Sequence, residues 1–131
     1  MSSAHEQLRA LLQRFARAAD ERDIEALASL FHPDAEISGT RGVLGLREWL
    51  EAMRGPRAFP TSMHVLGDPL ITVDAGGTGA VLDTYAVVYQ LGDPAAGQGD
   101  LTLGINYVDD VVLADGRWAI ARRRSVTVWM R

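Results

Sequence analysis

The chain has 131 residues, of which 47% are hydrophobic and 23% are charged, and its formal net charge is -4. This length and composition predict one globular domain spanning residues 1–131, and the negative charge argues against a nucleic acid partner. The sequence contains no cysteine and no lysine, which excludes disulfides, thiolate chemistry and Schiff bases through a lysine amine.

The first helix is predicted from about Ala4 to Asp20. Ser3 and Glu6 have the spacing of a capping box. The apolar residues that follow recur at helical intervals and form one stripe, which comprises Leu8, Leu11, Leu12, Phe15 and Ala19. Asp20 lies at the edge of this stripe, so its carboxylate is expected beside the core and not on the solvent face.

Two further helices and a short strand complete the first half of the chain. Asp23 can cap a second helix, which Pro33 is expected to stop. A short strand is predicted over residues 35–38. A third helix is predicted from Leu46 to Met53, where the apolar residues again have helical spacing.

From Thr61 onward the hydrophobic period changes to two, which predicts strands joined by hairpins. The predicted strands are Thr61–Leu66, Leu70–Val73, Ala80–Leu91, Leu101–Leu113 and Trp118–Trp129. Helices followed by long antiparallel strands indicate an α+β fold, in which a strongly curved, cone-shaped antiparallel sheet wraps around three N-terminal helices. The sequence has neither a signal peptide pattern nor an apolar run of membrane-spanning length, so we expect a cytoplasmic protein with no membrane partner.

His64 is the leading candidate for a catalytic residue. It occurs in a predicted strand, and its unperturbed pKa suits proton transfer near neutrality. Asp20 is its expected carboxylate partner. The alternative is a core histidine that is hydrogen-bonded to a backbone carbonyl, and the sequence leaves this alternative open.

Three tyrosines of the long strands are candidates to line a cavity. Tyr85 and Tyr89 share one strand face with Asp83, and Tyr107 shares a face of the next strand with Asp109. If these faces point inward, a phenol could stabilise an enolate oxygen while His64 moves a proton. Surface tyrosines explain the pattern equally well, and we expect both aspartates to face solvent because buried charges need partners.

Several segments in this order resemble the SnoaL-like branch of the nuclear transport factor two-like superfamily, with the greatest similarity to scytalone dehydratase-type domains. These segments are Phe15–Asp23, Leu30–Ala35, Thr61–Gly67, Tyr107–Asp109 and Asp115–Trp118, followed by Trp129. The resemblance covers nearly the whole chain and implies a cone-shaped fold. It implies no single activity, because this cone hosts dehydratases, isomerases, hydrolases, cyclases and binding modules.

The resemblance implies a role for individual residues. The family's helix aspartate falls on Asp20 and its strand histidine falls on His64, which together act as a general acid-base pair. Tyr107 occupies the position of a strand asparagine, and Tyr89 that of a second histidine. Two tyrosines that hold a water against the substrate carbonyl in that family are replaced by Ala19 and Ser38. Either a phenol of the sheet, from Tyr85, Tyr89 or preferably Tyr107, polarises the carbonyl instead, or the reaction is a different one.

These residues and the resemblance together imply a lyase or isomerase without a cofactor or a metal. The resemblance implies a small, hydrophobic, cyclic polyketide- or steroid-like carbonyl compound as its substrate. The predicted catalytic residues are His64, Asp20 and Tyr107, and the predicted substrate-binding residues are Tyr89, Tyr85, Ser38 and Trp49. An epoxide hydrolase arrangement was disfavoured because no arginine occurs between Arg57 and Arg117.

A homodimer is expected, because members of the family pair through the outer face of the sheet. Thr102, Gly104, Asn106, Arg122 and Arg124 would give this chain a polar version of that face. The alternative to an enzyme is a non-catalytic ligand-binding or dimerisation module of the same fold.

Overall fold

The computed structural model describes residues 2–131 and shows three α-helices and one large sheet. Two strands of the sheet lie between the second and third helices in the chain, and the other five follow the third helix. The helices are α1 (Ala4–Glu21), α2 (Ile24–Leu30) and α3 (Leu46–Arg54). The strands are β1 (Phe31–Gly39), β2 (Gly42–Gly45), β3 (Thr61–Leu66), β4 (Leu70–Val73), β5 (Gly79–Leu91), β6 (Leu101–Ala114) and β7 (Arg117–Met130).

The seven strands form one curved sheet in the order β2-β1-β7-β6-β5-β3, with β4 paired to the other end of β5. All neighbouring strands are antiparallel except β1 and β7, which run parallel. The predicted α+β fold with a curved sheet around N-terminal helices is therefore confirmed, with the correction that the sheet is mixed. The parallel pair arises because β1, which forms a hairpin with β2 on one side, lies beside the last strand β7 on the other.

The limits of α1 follow from its end residues. The Ser3 hydroxyl accepts a hydrogen bond from the Glu6 N–H at 3.1 Å, as the capping pattern predicts. At the other end Arg22 adopts a left-handed conformation with φ of 54°, and its N–H bonds to the carbonyls of Ala18 and Ala19. The helix therefore ends directly after Asp20 and Glu21, which places the Asp20 carboxylate in its last turn, beside strand β3.

The core lies between the helices and the inner face of the sheet. Its helical part is the predicted stripe of α1 together with Leu27 and Leu30, and its sheet part includes Leu82, Val111 and Ile120. Trp118 belongs to this core, whereas Trp129 is 43% exposed and lies on the outer face. The indole of Trp129 fills the space in which a side chain at Gly104 would stand.

Two local predictions need correction. Strand β1 begins at Phe31, immediately after α2, so Pro33 lies inside a strand and does not end the helix. The short strand β2 was not predicted. It pairs with β1 through a tight turn at residues 40–41, and its four residues are too few to show a hydrophobic period.

A buried ion pair joins β6 to β7 inside the cone. Arg123 Nε and Nη2 donate to the two carboxylate oxygens of Asp109 at 2.7 and 2.9 Å. The exposed fractions of the two side chains are 2% and 0%. Asp109 was expected at the surface, and this expectation is wrong because Arg123 supplies the partner that a buried carboxylate requires.

Removing the charge of Asp109 should destabilise the protein. We expect Asp109→Asn to lower the free energy of unfolding by about 3–5 kcal/mol, since it leaves a buried guanidinium without a counter-charge. Urea denaturation measures this change. The matched control is Asp110→Asn on the opposite face, where the contact to Arg124 is 3.8 Å long and both side chains are about two-fifths exposed, and its effect should stay below about 1 kcal/mol. Equal losses in the two variants would contradict the assignment of a structural role to the buried pair.

Candidate functional site

Asp20 and His64 contact each other directly. Strand β3 packs against α1, and the alternation of β3 turns Ser62, His64 and Leu66 toward the helix while Met63 and Val65 face outward. His64 Nδ1 lies 2.6 Å from Asp20 Oδ1, and the backbone N–H of His64 donates to Asp20 Oδ2 at 2.9 Å. The partner expected from the sequence is therefore in place, and it is a carboxylate and not a backbone carbonyl.

Further hydrogen bonds hold the Asp20 carboxylate. The hydroxyl of Ser62 donates to Asp20 Oδ1 at 3.1 Å. Arg57 in turn donates through Nη2 to the Ser62 hydroxyl at 3.2 Å and through Nη1 to the backbone carbonyl of Asp20 at 3.4 Å. Sequence reasoning missed Ser62 and Arg57. The signal for Ser62 was its position two residues before His64, on the same strand face.

These contacts define the chemistry available to the imidazole. Because Asp20 accepts from Nδ1, the proton of the neutral ring is held on that nitrogen, and the lone pair of Nε2 is left as the base. The side chain of His64 keeps 12% of its surface exposed. A cleft of about 540 Å³ between α1 and β3 adjoins the pair, and Gln13, Ala16, Asp20, His64 and Leu66 are among its lining residues.

The surroundings of His64 favour its neutral form. Burial lowers the pKa of His64 from its ordinary value of 6.5, and the contact with Asp20 opposes this shift. The positive charges of Arg123 and Arg22 lower the pKa further. His64 is therefore a neutral base at pH 7.

Arg123 and Tyr107 form the cationic and phenolic part of the cone interior. The Arg123 guanidinium carbon lies 3.8 Å from the ring centre of Phe15 and 4.2 Å from that of Tyr107. Phe15 also meets His64 edge to face, with the ring centres 6.0 Å apart. Nη1 of Arg123 is enclosed and has no hydrogen-bond partner among residues 2–131.

Burial raises the pKa of Tyr107, although Arg123 acts in the opposite direction, so its hydroxyl stays protonated at neutral pH. Burial disfavours the charge of Arg123, but the attraction of Asp109 outweighs this effect and raises the pKa of the guanidinium. A buried cation and a protonated phenol thus lie on the same side of the sheet as the Asp20–His64 pair.

The predicted positions of Tyr85 and Tyr89 are wrong. Their exposed fractions are 72% and 39%, and both lie on the outer face of β5 together with Asp83. The inner face of β5 carries the alternate residues Leu82, Thr84, Ala86 and Val88. Tyr107 is on the inner face because it pairs with Thr84, whereas Tyr85 pairs with Asn106.

The predicted position of Ser38 in the site is wrong. Ser38 alternates with Ala35 and Ile37, which face the core, and it pairs in register with Arg124, so its side chain is on the outer face of β1. Its hydroxyl donates to the backbone carbonyl of Arg123 at 3.4 Å and so ties β1 to β7.

Trp49 is half-buried on the helical side and stacks on Phe15, with ring centres 6.5 Å apart. Phe15 in turn contacts His64, so one ring separates Trp49 from the Asp20–His64 pair.

The sequence disfavours an epoxide hydrolase arrangement because no arginine occurs between positions 57 and 117. Arg123 lies outside that interval and still reaches the strand carboxylate of Asp109. The second carboxylate, Asp20, is bonded to His64 and Ser62 and has no bond to this guanidinium. The Asp20–His64 pair is therefore the feature that distinguishes the site. Among residues 2–131, no three histidine or carboxylate side chains meet as a group that could hold a metal ion.

Comparison with known proteins identifies the family. The SnoaL-like domain model matches residues 1–124, so the chain belongs to the SnoaL-like domain family, within the nuclear transport factor two-like superfamily. An uncharacterized protein of Mycobacterium tuberculosis is 29% identical over 123 residues, which cover 89% of this chain and 80% of the relative.

Two solved structures share the fold. A scytalone dehydratase-like protein of Novosphingobium aromaticivorans superposes with a TM-score of 0.83 at 22% identity. The match covers 96% of this chain and 85% of the chain of that protein. The hexachlorocyclohexane dehydrochlorinase LinA-type3 of Novosphingobium barchaimii superposes with a TM-score of 0.82 at 14% identity. The match covers 98% of this chain and 88% of the dehydrochlorinase chain.

No helix within residues 2–131 is long and apolar enough to cross a membrane.

The lowered pKa of His64 predicts a pH-dependent contribution to stability. An unfolded chain binds a proton at His64 near pH 6.5, and the folded protein does so only at lower pH. The stabilisation from this residue is therefore complete above the unfolded pKa and decreases as the pH falls through the folded pKa.

We expect His64→Gln to flatten the decline of unfolding free energy between about pH 7 and pH 5, as measured by urea denaturation at a series of pH values. His5→Gln, at an exposed position in the first turn of α1, is the matched control and should retain the wild-type decline. A wild-type slope in His64→Gln would contradict the lowered pKa.

Proposed function

We propose that this protein is a cofactor-independent lyase or isomerase that moves a proton next to a carbonyl group, with His64 as general acid and base. The observation that carries this proposal is the pair of hydrogen bonds between Asp20 and His64, which orients the ring and leaves Nε2 as the base. Dehydratase-like and dehydrochlorinase proteins among the structural neighbours support this kind of reaction.

In this mechanism Nε2 of His64 removes a proton from the carbon beside the carbonyl, and Asp20 stabilises the imidazolium that forms. The same nitrogen returns the proton to another atom in an isomerase, or to the leaving group in a lyase. Negative charge develops on the carbonyl oxygen. Tyr107 as a neutral hydrogen-bond donor and Arg123 as a buried cation are the groups that suit its stabilisation.

The proposed substrate is a small cyclic compound of polyketide or steroid type. The aromatic rings of Phe15 and Trp49 offer an apolar wall beside His64, which suits a flat ring system. Ser38, Tyr85 and Tyr89 are not part of the proposal, because their side chains lie on the other face of the sheet.

Proton abstraction can be measured without knowing the natural substrate. We expect the protein to catalyse hydrogen–deuterium exchange next to the carbonyl of 2-tetralone, followed by proton NMR in heavy water. His64→Ala should lower the exchange rate by about 10²–10⁴-fold, because the base is deleted. Asp20→Asn should be less damaging, since it changes the orientation and tautomer of the ring and leaves the base present.

His5→Ala is the control for this experiment, and it should exchange at the wild-type rate. A folded His64→Ala variant that retains full exchange would contradict the proposed role. Circular dichroism establishes that each variant is folded.

A second candidate function, a dimerisation or binding module, is favoured by the outer face of the sheet. Exposed apolar side chains gather there, including Met63, Val65, Tyr85, Val126 and Val128. Val65, Tyr85 and Val128 line a cleft of about 520 Å³ together with Trp129. The polar residues expected on this face are present, as Asn106 opposite Tyr85 and Arg122 opposite Asp110 show. They do not make the face polar throughout.

We propose that two copies pair through this face, since monomers seldom expose apolar patches of this extent. Light scattering at micromolar concentration should give twice the 14.2 kDa chain mass. Val128→Asp should shift the mass to that of the monomer because it places a charge in the contact. Val43→Asp, at an equally exposed position on β2 at the far edge of the sheet, should not. A monomeric wild type would overturn the proposal.

A further inference from the structure

Three arginines meet at the end of the molecule where α1 stops. Arg22 is the residue that caps α1, Arg57 follows α3, and Arg41 lies in the turn between β1 and β2. Arg57 reaches the backbone carbonyl of Asp20 at 3.4 Å, and Arg22 Nη1 reaches the backbone carbonyl of Met53 at 3.2 Å. We call these three residues the arginine cluster.

The arginine cluster has no acidic partner. Within residues 2–131 none of its members forms a salt bridge. Of the acids next to Arg22 in the sequence, Asp20 bonds to His64 and Asp23 caps α2 through the N–H of Ala26. Glu21 is exposed and forms no salt bridge with the arginine cluster. The protein as a whole has a net charge of -4, so the arginine cluster is a local region of positive charge on a negatively charged protein.

Two members of the cluster are held in a costly environment. The Nε atoms of Arg22 and Arg57 are enclosed and have no hydrogen-bond partner, and an enclosed donor without a partner is unfavourable. Burial lowers the pKa of Arg22, and the charges of Arg57 and Arg41 lower it further. An anion at the accessible nitrogens of the arginine cluster would remove the second penalty, since it would neutralise the repulsion among the guanidinium groups.

The arginine cluster is also close to the proposed reaction centre. Arg57 is connected to Asp20 through a single side chain, that of Ser62. The charge of Arg22 is near enough to lower the pKa of His64. A group held by Arg22 and Arg57 would therefore lie within one small molecule's length of the imidazole.

We propose that the substrate carries a carboxylate, and that Arg22 and Arg57 bind this carboxylate while its ring system lies against the Phe15–Trp49 wall. This inference rests on the proposed function and narrows the substrate class to cyclic carbonyl acids. A planar guanidinium matches the two oxygens of a carboxylate. The anchor would also fix which carbon of the ring faces His64.

Binding of benzoate and of its neutral counterpart benzamide tests the proposal by isothermal titration calorimetry. Benzoate should bind more tightly than benzamide, and its affinity should fall as salt is added. Arg22→Gln should weaken benzoate binding by at least about tenfold and leave benzamide binding unchanged, because a charged hydrogen bond is lost. Arg54→Gln is the matched control, since Arg54 is exposed at the end of α3 and should bind benzoate like the wild type.

Arg22 is the diagnostic position because it takes no part in the hydrogen bonds of Asp20, so its loss does not disturb His64 through that route. His64→Ala should still bind benzoate, which separates this inference from the proposed chemistry. Equal affinities for benzoate and benzamide, or undiminished benzoate binding by a folded Arg22→Gln variant, would overturn the carboxylate site. Absence of proton exchange with intact benzoate binding would instead count against the proposed reaction alone.

Discussion

The carboxylate of Asp20 is the contact on which the arrangement of this molecule depends. One oxygen accepts from the His64 ring and the Ser62 hydroxyl, and the other accepts from the His64 backbone. These bonds join the last turn of α1 to the edge strand β3, which has no strand neighbour on its outer side. The same bonds that orient the imidazole therefore also hold the helix against the sheet, so the geometry of the base is set by the fold itself.

The electrostatics of the interior depend on the buried ion pair of Asp109 and Arg123. Asp109 neutralises Arg123, and the guanidinium then packs between the faces of Phe15 and Tyr107. One of its nitrogens remains without a partner. Its positive charge lowers the pKa of His64 while the contact with Asp20 raises it. Such a setting favours a neutral imidazole, as the proposed proton abstraction requires.

Much of the fold could be predicted from the sequence because the local patterns were long. The capping box of α1, its apolar stripe and the alternation of β3 to β7 gave element limits within one or two residues of those observed. The contact of Asp20 with His64 was also predictable, since one lies at the edge of a buried stripe and the other in an inward-facing strand. The inner face of β5 was predicted wrongly. The two tyrosines favoured one face as the cavity lining, whereas the alternate residues Leu82, Thr84, Ala86 and Val88 point inward.

The pairing of Asp109 with Arg123 was beyond sequence reasoning for a different reason. Counting back from the hairpin between β6 and β7 pairs Asp109 with Arg122, since Ala114 lies opposite Arg117 and Val111 opposite Ile120. A bulge between Asp110 and Val111 shifts the register by one residue and brings Arg123 to the inner face. One inserted residue thus exchanges an exposed arginine for a buried one, and nothing in the run Arg122–Arg124 shows which of the three turns inward.

The proposed role of His64 depends on its protonation state, which can be measured directly. Long-range nitrogen–proton correlation spectra of the labelled protein distinguish the two neutral tautomers from the imidazolium. We predict that at pH 7 His64 is neutral with its proton on Nδ1, and that Asp20→Asn disturbs this preference. A charged ring at pH 7, or a wild-type proton on Nε2, would contradict the assignment of His64 as a base oriented by Asp20.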